Sequence, residues 1–238
     1  MKRCLAVALA LVSILAAGHA RAAGPDSNAA PPARPDSATA SPASPDSGAA
    51  RRSAVVVPTP SDSVLVLLLR HGNRVLLFRH AATDWGQRDA DVVNYSDRTA
   101  QRNLSAIGRA QADTIAAAVK ALELKIGQVL SSPMYRCRDT AEIAFGHADT
   151  TSHLFVKSKA SRDVRVKWLG TSLTDGALFV QVTHQDPYIP LLKFQRDQLK
   201  EGDALLIEPL GGDKWVIEAQ IMPADWARLA ARYGAKKK

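Results

Sequence analysis

Aromatic residues are scarce in this sequence, and its first third has none. They make up 5% of the 238 residues, and the first along the chain is Phe78. A segment without aromatic side chains has little apolar surface to bury, whereas ordering its backbone costs about 1–2 kcal/mol per residue. Proline is distributed the opposite way, with eight of its 13 residues before Ser61. We therefore expect one folded domain, over residues 61–238.

Cysteine is rarer still, with only Cys4 and Cys137 in the whole chain. If the N-terminus is removed on export, one cysteine remains, and a single cysteine forms neither an internal disulfide nor a two-cysteine metal site. The hydrophobic core must then stabilise the domain alone. No second catalytic pattern surrounds Cys137, so we expect a helix residue there and not a nucleophile.

The N-terminus has the pattern of a cleaved secretory signal. Lys2 and Arg3 precede an uncharged run, residues 4–17, and Ala20 and Ala22 are small residues at the positions that a signal peptidase recognises. The alternative is an uncleaved membrane anchor, but the run is shorter than the ~20 residues of a spanning helix. We expect a signal peptide over residues 1–22 and a periplasmic or secreted protein without stable membrane insertion.

Residues 23–60 consist mainly of Ala, Pro, Ser and Asp, and Pro-Asp-Ser recurs at Pro25, Pro35 and Pro45. This composition favours extended conformations without a packed core and predicts a disordered linker. Cleavage would also lower the formal net charge, +8 for the whole chain, by three. Three of the remaining positive charges form the terminal run 236–238, which reads as a solvated tail. We therefore expect no nucleic-acid partner.

From residue 61 onwards, short apolar runs alternate with amphipathic helical patterns, which is typical of an α/β domain. Ser105 is expected to cap a helix that runs to about Leu124, and Ser132 and Pro133 to open another through Ala144. The large aromatic residues Trp85, Trp215 and Trp226 are expected in the core. The predicted strands are residues 75–78, 128–130, 177–182 and 214–220.

Three of these strands are followed by polar residues of the same kind. Arg79 and His80 follow the first, Ser131 to Arg136 the second, and Thr183 and His184 the third. In open α/β sheets, ligands bind outside the carboxyl ends of the strands, so these segments are expected to form one pocket. Two arginines, two histidines and a helix N-terminus favour a phosphoryl group.

The same residues resemble the histidine phosphatase superfamily, also called phosphoglycerate mutase-like. Four ordered motifs carry the resemblance, and together they span most of the predicted domain. It implies a three-layer αβα sandwich with a mostly parallel central sheet, a covalent phosphohistidine intermediate, and no metal or cofactor. The motifs are residues 78–83, residues 101–112, residues 131–136 running into Thr140 and Ala141, and His184.

The resemblance also implies a role for each matching residue. His80 would be the nucleophile, because a neutral imidazole can attack phosphorus and its usual pKa near 6.5 permits that form. Arg79, Arg136 and a protonated His184 would stabilise the charge on the equatorial oxygens of the transferring group. Water would then hydrolyse the phosphohistidine.

His71 is a second candidate for the nucleophile, because Arg70-His71-Gly72 matches the Arg-His-Gly of the family more closely than Arg79-His80-Ala81 does. Those three residues also fit the end of a helix capped by Asp62 or Ser63. Thr83 stands three residues after His80, as in the family, and would lie at the substrate rim. We therefore prefer His80, although Ala81 departs from the family glycine and requires a negative φ.

The proton donor is the open point of this assignment. Asp186 and Asp84 are the candidates, with Glu142 a third, because Gln185 stands where some family members have an aspartate. Arg102 fits a substrate contact at the rim and a neighbour of the Ser105 cap equally well.

The sequence thus predicts a metal-independent phosphatase that acts on a small phosphomonoester or a phosphoprotein. The alternative is a non-catalytic module that binds phosphate or another anion in the same cationic pocket.

Overall fold

Residues 54–235, the part of the chain that the computed structural model describes, form one six-stranded sheet with helices on both faces. The predicted signal peptide, linker residues 23–53 and the terminal lysines lie outside the described residues. The elements are α1 (Asp62–His71), β1 (Arg74–Arg79), α2 (Ala106–Ala121), β2 (Ile126–Ser131), α3 (Tyr135–Phe145), β3 (Asp149–Thr150), a 3₁₀ turn (Ser152–Leu154), α4 (Lys159–Gly170), β4 (Leu178–Thr183), α5 (Ile189–Leu192), β5 (Ala204–Gly211), β6 (Lys214–Ile221) and α6 (Pro223–Tyr233).

The strand order is β3-β2-β4-β1-β5-β6. The pairs from β3 to β1 are parallel, and β5 pairs antiparallel with both β1 and β6, so β5 alone runs against the other five. The predicted three-layer αβα fold with a mostly parallel sheet is confirmed. The carboxyl ends of β2, β4 and β1 consequently meet at one edge.

Both faces of the central strands are covered by apolar packing. The whole of β4 is buried, and so is β1 up to Phe78, as expected of parallel strands under two helical layers. Leu76 and Phe78 face the layer of α1, α2, α3 and α6, whereas Val75 and Leu77 face α4, α5 and the 3₁₀ turn. Val55 and Val57, from the segment assigned to the linker, pack against this second layer.

The motif Arg70-His71-Gly72 forms the end of α1. Ser61 caps the helix through its hydroxyl, in place of the expected Asp62 or Ser63. Gly72 has φ +64°, and a Cβ there would lie 2.1 Å from the carbonyl oxygen of Gly176. His71 precedes β1, which places it at the opposite edge of the sheet from His80.

The expected start of α3 at Ser132 and Pro133 is wrong. The helix begins at Tyr135, and its N-cap residue Met134 makes no side-chain capping bond. The Ser132 hydroxyl instead lies 2.9 Å from His184 Nε2, and the Tyr135 amide donates to Gln101 Oε1 at 3.0 Å. A tertiary contact thus replaces the local cap.

The helices in residues 54–235 are all too short or too polar to cross a membrane. The expected core position of Trp226 is confirmed, since it is fully buried and stacks on Phe78.

The start of α2 is held close to the loop that follows His80. The Ser105 amide and hydroxyl both donate to the carbonyl oxygen of Ala82, at 3.0 and 3.2 Å, and a Cβ on Gly108 would lie 1.9 Å from that same oxygen. Gly108→Ala must therefore displace backbone.

We predict that Gly108→Ala lowers the free energy of unfolding by about 1–3 kcal/mol, the usual effect of overpacking, as measured by urea denaturation. Ala117→Ser, which adds one atom on the exposed face of the same helix, is the matched control and should change stability by less than about 0.5 kcal/mol. Equal stability of the two variants would contradict this account.

Candidate active site

A cavity of about 680 Å³ opens at the edge of the sheet where β1, β2 and β4 end. The pairing of β1 with β4 continues past the strands, because the His80 amide donates to the carbonyl oxygen of Thr183 at 2.9 Å. The Ser132 amide donates to Val182 in the same way, also at 2.9 Å. The cavity wall includes all four predicted catalytic residues, Arg79, His80, Arg136 and His184.

His80 is presented to this cavity as a neutral ring. Its Nδ1 lies 2.9 Å from the carbonyl oxygen of Ala81, which can only accept, so Nδ1 carries the proton and Nε2 keeps its lone pair. Burial, together with the nearby charges of Arg136 and Arg79, lowers the pKa of His80 well below 6.5. The structure thus holds a nucleophilic nitrogen at neutral pH.

Ala81 is accommodated where the family has glycine, since it is not among the residues with positive φ. Its amide donates to Thr140 Oγ1 at 3.1 Å, and that hydroxyl donates to the carbonyl oxygen of Arg136 at 2.6 Å. Thr140 therefore joins α3 to the loop that bears His80.

His184 stands beside His80, with the ring centroids 5.3 Å apart. Burial, Arg136 and His80 lower the pKa of His184 well below 6.5, so it is neutral in the free site. The expected protonated His184 is therefore not the form of the free protein. A bound phosphoryl dianion would favour protonation, because an adjacent negative charge raises the pKa of an imidazole.

Two side chains fix the His184 ring. Ser132 Oγ lies 2.9 Å and Cys137 Sγ 3.4 Å from His184 Nε2. Cys137 lies in α3, as expected, and burial raises the pKa of its thiol to about 12, so it is protonated and unreactive.

Arg136, the second residue of α3, has one side of its guanidinium engaged. Nη1 donates to Asp89 Oδ1 at 2.9 Å and to the carbonyl oxygen of Arg102 at 3.4 Å. Nε is buried and donates to no atom of residues 54–235. Arg136 itself lines the cavity, where a guanidinium suits an anionic ligand.

Glu201 connects the other two arginines. Its Oε1 lies 3.6 Å from Arg79 Nη2 and 3.5 Å from Arg102 Nη2. Thr83 donates to the same carboxylate through both its amide and its hydroxyl, each at 3.0 Å. Thr83 therefore fixes the carboxylate that pairs with the two arginines. It does not line the cavity, whereas Arg102 does.

The sequence analysis identified neither Asp89 nor Glu201. Asp89 is one of several acids in the polar loop before α2, and Glu201 stands in the turn before β5, far along the chain from both arginines. No local pattern distinguishes either residue from a solvated acid.

Of the three proton-donor candidates, only Asp186 lines the cavity. Its Oδ2 accepts from Lys157 Nζ at 3.0 Å, and its Oδ1 lies 3.7 Å from Arg196 Nη1. Asp84 accepts from the Gly86 amide and from Gln87 within its own loop. Glu142 is exposed on α3, 3.8 Å from Arg138.

The expectation that Trp85 lies in the core is wrong. It is 71% exposed at the cavity mouth, with the Arg102 guanidinium 3.9 Å from its ring centroid. Trp215 is half-buried against the second core layer. Trp85 belongs to a long loop, residues 84–103, that leaves the sheet, so its position depends on tertiary packing.

Within residues 54–235, no three His, Cys, Asp or Glu side chains are grouped so that they could hold a metal ion.

Comparison with known families confirms the resemblance read from the motifs. Residues 75–155 match the family model of the histidine phosphatase superfamily (branch 1). The match contains His80 and Arg136 and stops before His184. It supports phosphatase activity in general. Among curated proteins, no match was found.

Three solved structures illustrate the structural similarity. The protein histidine phosphatase SixA complexed with tungstate is 16% identical, covering 64% of this chain and 98% of its own, with a TM-score of 0.49. The putative phosphohistidine phosphatase SixA from Agrobacterium tumefaciens is 22% identical, covering 63% and 98%, with a TM-score of 0.45. Phosphoserine phosphatase from Entamoeba histolytica, in complex with 3-phosphoglyceric acid, is 15% identical, covering 62% and 95%, with a TM-score of 0.44.

The buried neutral histidines predict a pH-dependent stability. Below pH 6.5 the unfolded chain protonates His80 and His184, whereas the folded chain, with both pKa values lowered, does not. The unfolded state then binds more protons, so the free energy of unfolding falls by up to about 1.4 kcal/mol per pH unit for each histidine.

We predict such a fall between about pH 7 and pH 5 in urea denaturation, and a smaller fall in His184→Asn. His147→Asn replaces an exposed histidine and should leave the pH dependence as in the wild type. A wild-type stability that is constant over this range would show that folding does not lower the pKa values of the two histidines.

Proposed function

We propose that this chain is an exported, metal-independent phosphatase that hydrolyses phosphate monoesters through a phosphohistidine on His80. The match of residues 75–155 to the histidine phosphatase superfamily supports the reaction class. The observation that carries the proposal is the buried, neutral His80 in the cavity wall, with Arg79, Arg102, Arg136 and His184 around it.

The arrangement suits a two-step displacement. In the first step, the lone pair of His80 Nε2 forms a bond to phosphorus as the bond to the ester oxygen breaks, and that oxygen leaves with the electron pair. In the second step, water attacks phosphorus and the nitrogen–phosphorus bond breaks, which returns the lone pair to Nε2. The leaving oxygen gains one proton and the attacking water gives one up, both exchanged with solvent, so the products are the free alcohol and inorganic phosphate.

The surrounding cations would stabilise the transferring group. Its equatorial oxygens carry the charge in the transition state, and preorganised donors at those oxygens lower the barrier. The guanidinium of Arg136 is one such donor, and His184 becomes another once it gains a proton. Glu201 and Asp89 hold the arginines in place without lining the cavity.

The N-terminal pattern supports the cellular part of the proposal. A signal peptide over residues 1–22 would direct the catalytic domain out of the cytoplasm, with the linker preceding the domain in the mature chain. Phosphorylated small molecules and phosphoproteins in that compartment are then its candidate substrates.

We predict that His80→Asn lowers kcat/KM for p-nitrophenyl phosphate by at least about 10³-fold, because it removes the nucleophile. His71→Asn, the matched control at the opposite edge of the sheet, should keep nearly wild-type activity. Quenching with alkaline detergent after mixing with ³²P-labelled substrate should trap label on the wild type only, stable in alkali and released by acid, and EDTA should leave the wild-type rate unchanged.

The same experiment distinguishes the alternative, a non-catalytic module that binds phosphate. Equal inactivity of the wild type and His80→Asn, with inorganic phosphate still bound in calorimetry, would favour that module. If His71→Asn abolished turnover and His80→Asn did not, the assignment of the nucleophile would be wrong.

A further inference from the structure

We propose that the natural substrates of this site are aryl phosphates, in which the phosphoryl group is attached to an aromatic ring. The inference rests on the proposed function and concerns the part of the cavity that a phosphoryl group does not fill. It is carried by the apolar wall above the two histidines and by the positions of the polar groups in that wall.

The cavity is too large for a phosphoryl group alone. Its volume of about 680 Å³ is that of a site for a drug-sized molecule. The residues proposed to hold the phosphoryl group are concentrated at the ends of β1 and β4 and the start of α3. Most of the remaining wall must therefore contact the group that the phosphoryl is attached to.

That remaining wall is largely apolar and rich in aromatic rings. Three aromatic residues line the cavity in a sequence that contains only 5% of them. Trp85 is 71% and Val93 81% exposed, so the protein leaves large apolar surface in water at the mouth. The apolar wall residues are Trp85, Val92, Val93, Tyr95, Phe155, Val156 and Pro187.

The aromatic wall begins directly beside the catalytic pair. The Phe155 ring centroid lies 5.1 Å from that of His184 and 6.0 Å from that of Tyr95, both in edge-to-face arrangements. A ring joined to the phosphoryl group through one oxygen would enter this wall immediately. Aromatic pairs favour such edge-to-face and offset contacts, beyond the gain from burying area.

Uncharged hydrogen-bonding groups are few in the same wall. Of the cavity-lining side chains in residues 54–235, only Tyr95 and Gln185 are uncharged and carry a hydroxyl or an amide. The side-chain amide of Gln185 is already engaged by Asp197. Its Oε1 accepts from the Asp197 amide at 3.0 Å, and its Nε2 donates to Asp197 Oδ1 at 3.4 Å. The charged wall residues Lys157, Asp186 and Arg196 pair with one another, so the hydroxyl groups of a sugar or polyol would have to compete with these ion pairs for partners.

The position of Asp186 points to the same substrate class. Each of its oxygens is paired with a cation, Lys157 or Arg196, so the leaving oxygen of an ester would have to compete with these ion pairs. The leaving oxygen must then depart with little help from a carboxylic acid. A phenol, with a pKa of about 10, leaves as an anion far more readily than an aliphatic alcohol, which is about as weakly acidic as water.

The test separates recognition of the ring from acidity of the leaving group. Three substrates are compared: phenyl phosphate, the phosphate of a fluorinated aliphatic alcohol about as acidic as phenol, and glycerol phosphate. We expect kcat/KM for phenyl phosphate to exceed that of the acidic alkyl ester by about tenfold and that of glycerol phosphate by at least about 10²-fold.

Wall variants identify the surface that recognises the ring. Trp85→Ala and Val93→Ser should each reduce the preference of phenyl phosphate over the acidic alkyl ester by about threefold or more, mainly through KM. For Trp85→Ala, the informative quantity is the ratio of kcat/KM for the two esters, because any disturbance of Arg102 would affect both esters equally. Leu67→Ala, which replaces a similarly exposed apolar residue on α1, is the control and should keep the wild-type ratio.

The outcomes separate this inference from the proposed function. Equal kcat/KM for phenyl phosphate and the acidic alkyl ester, or a ratio that the wall variants leave unchanged, would overturn recognition of the ring. His80-dependent hydrolysis of glycerol phosphate as fast as that of phenyl phosphate would overturn the aryl assignment and leave the phosphatase intact. Absence of His80-dependent hydrolysis with every ester would overturn both.

Discussion

The candidate site depends on the parallel register of β1 and β4. Arg79 pairs with Thr183 at the end of the two strands, and the His80 amide then donates to the carbonyl oxygen of Thr183. This register places His80 and His184 side by side, although 103 residues separate them in the chain. A slip by one residue would turn one ring away from the cavity, because successive strand side chains alternate between faces.

The electrostatic character of the site follows from that placement. Two imidazoles buried next to arginines stay neutral, since both burial and the adjacent positive charge oppose protonation. The carboxylates of Asp89 and Glu201 balance the arginines from outside the cavity wall. The cavity therefore combines a neutral nucleophile with cationic donors, which is the combination that attack on a phosphoryl dianion requires.

Much of the fold could be predicted from local patterns. Alternating apolar runs and amphipathic segments located β1, α2, β2, β4 and β6 to within a few residues. The Ser105 cap was also correct, because its hydroxyl accepts from the amide of Gly108 within the same turn. The start of α3 was placed wrongly because the closest partner of the Ser132 hydroxyl is His184, just after β4, and the helix begins only at Tyr135.

The sequence by itself determined the residue types at the strand ends, and those types already indicated phosphate chemistry. The pairing of strands distant in the chain decided the rest. It put His71 at the far edge of the sheet and His80 in the cavity, brought Asp89 and Glu201 to the arginines, and left Trp85 exposed at the mouth. The physical reason is that capping and amphipathicity act over a few residues, whereas ion pairs and cavity walls form between segments that meet only when the sheet is assembled.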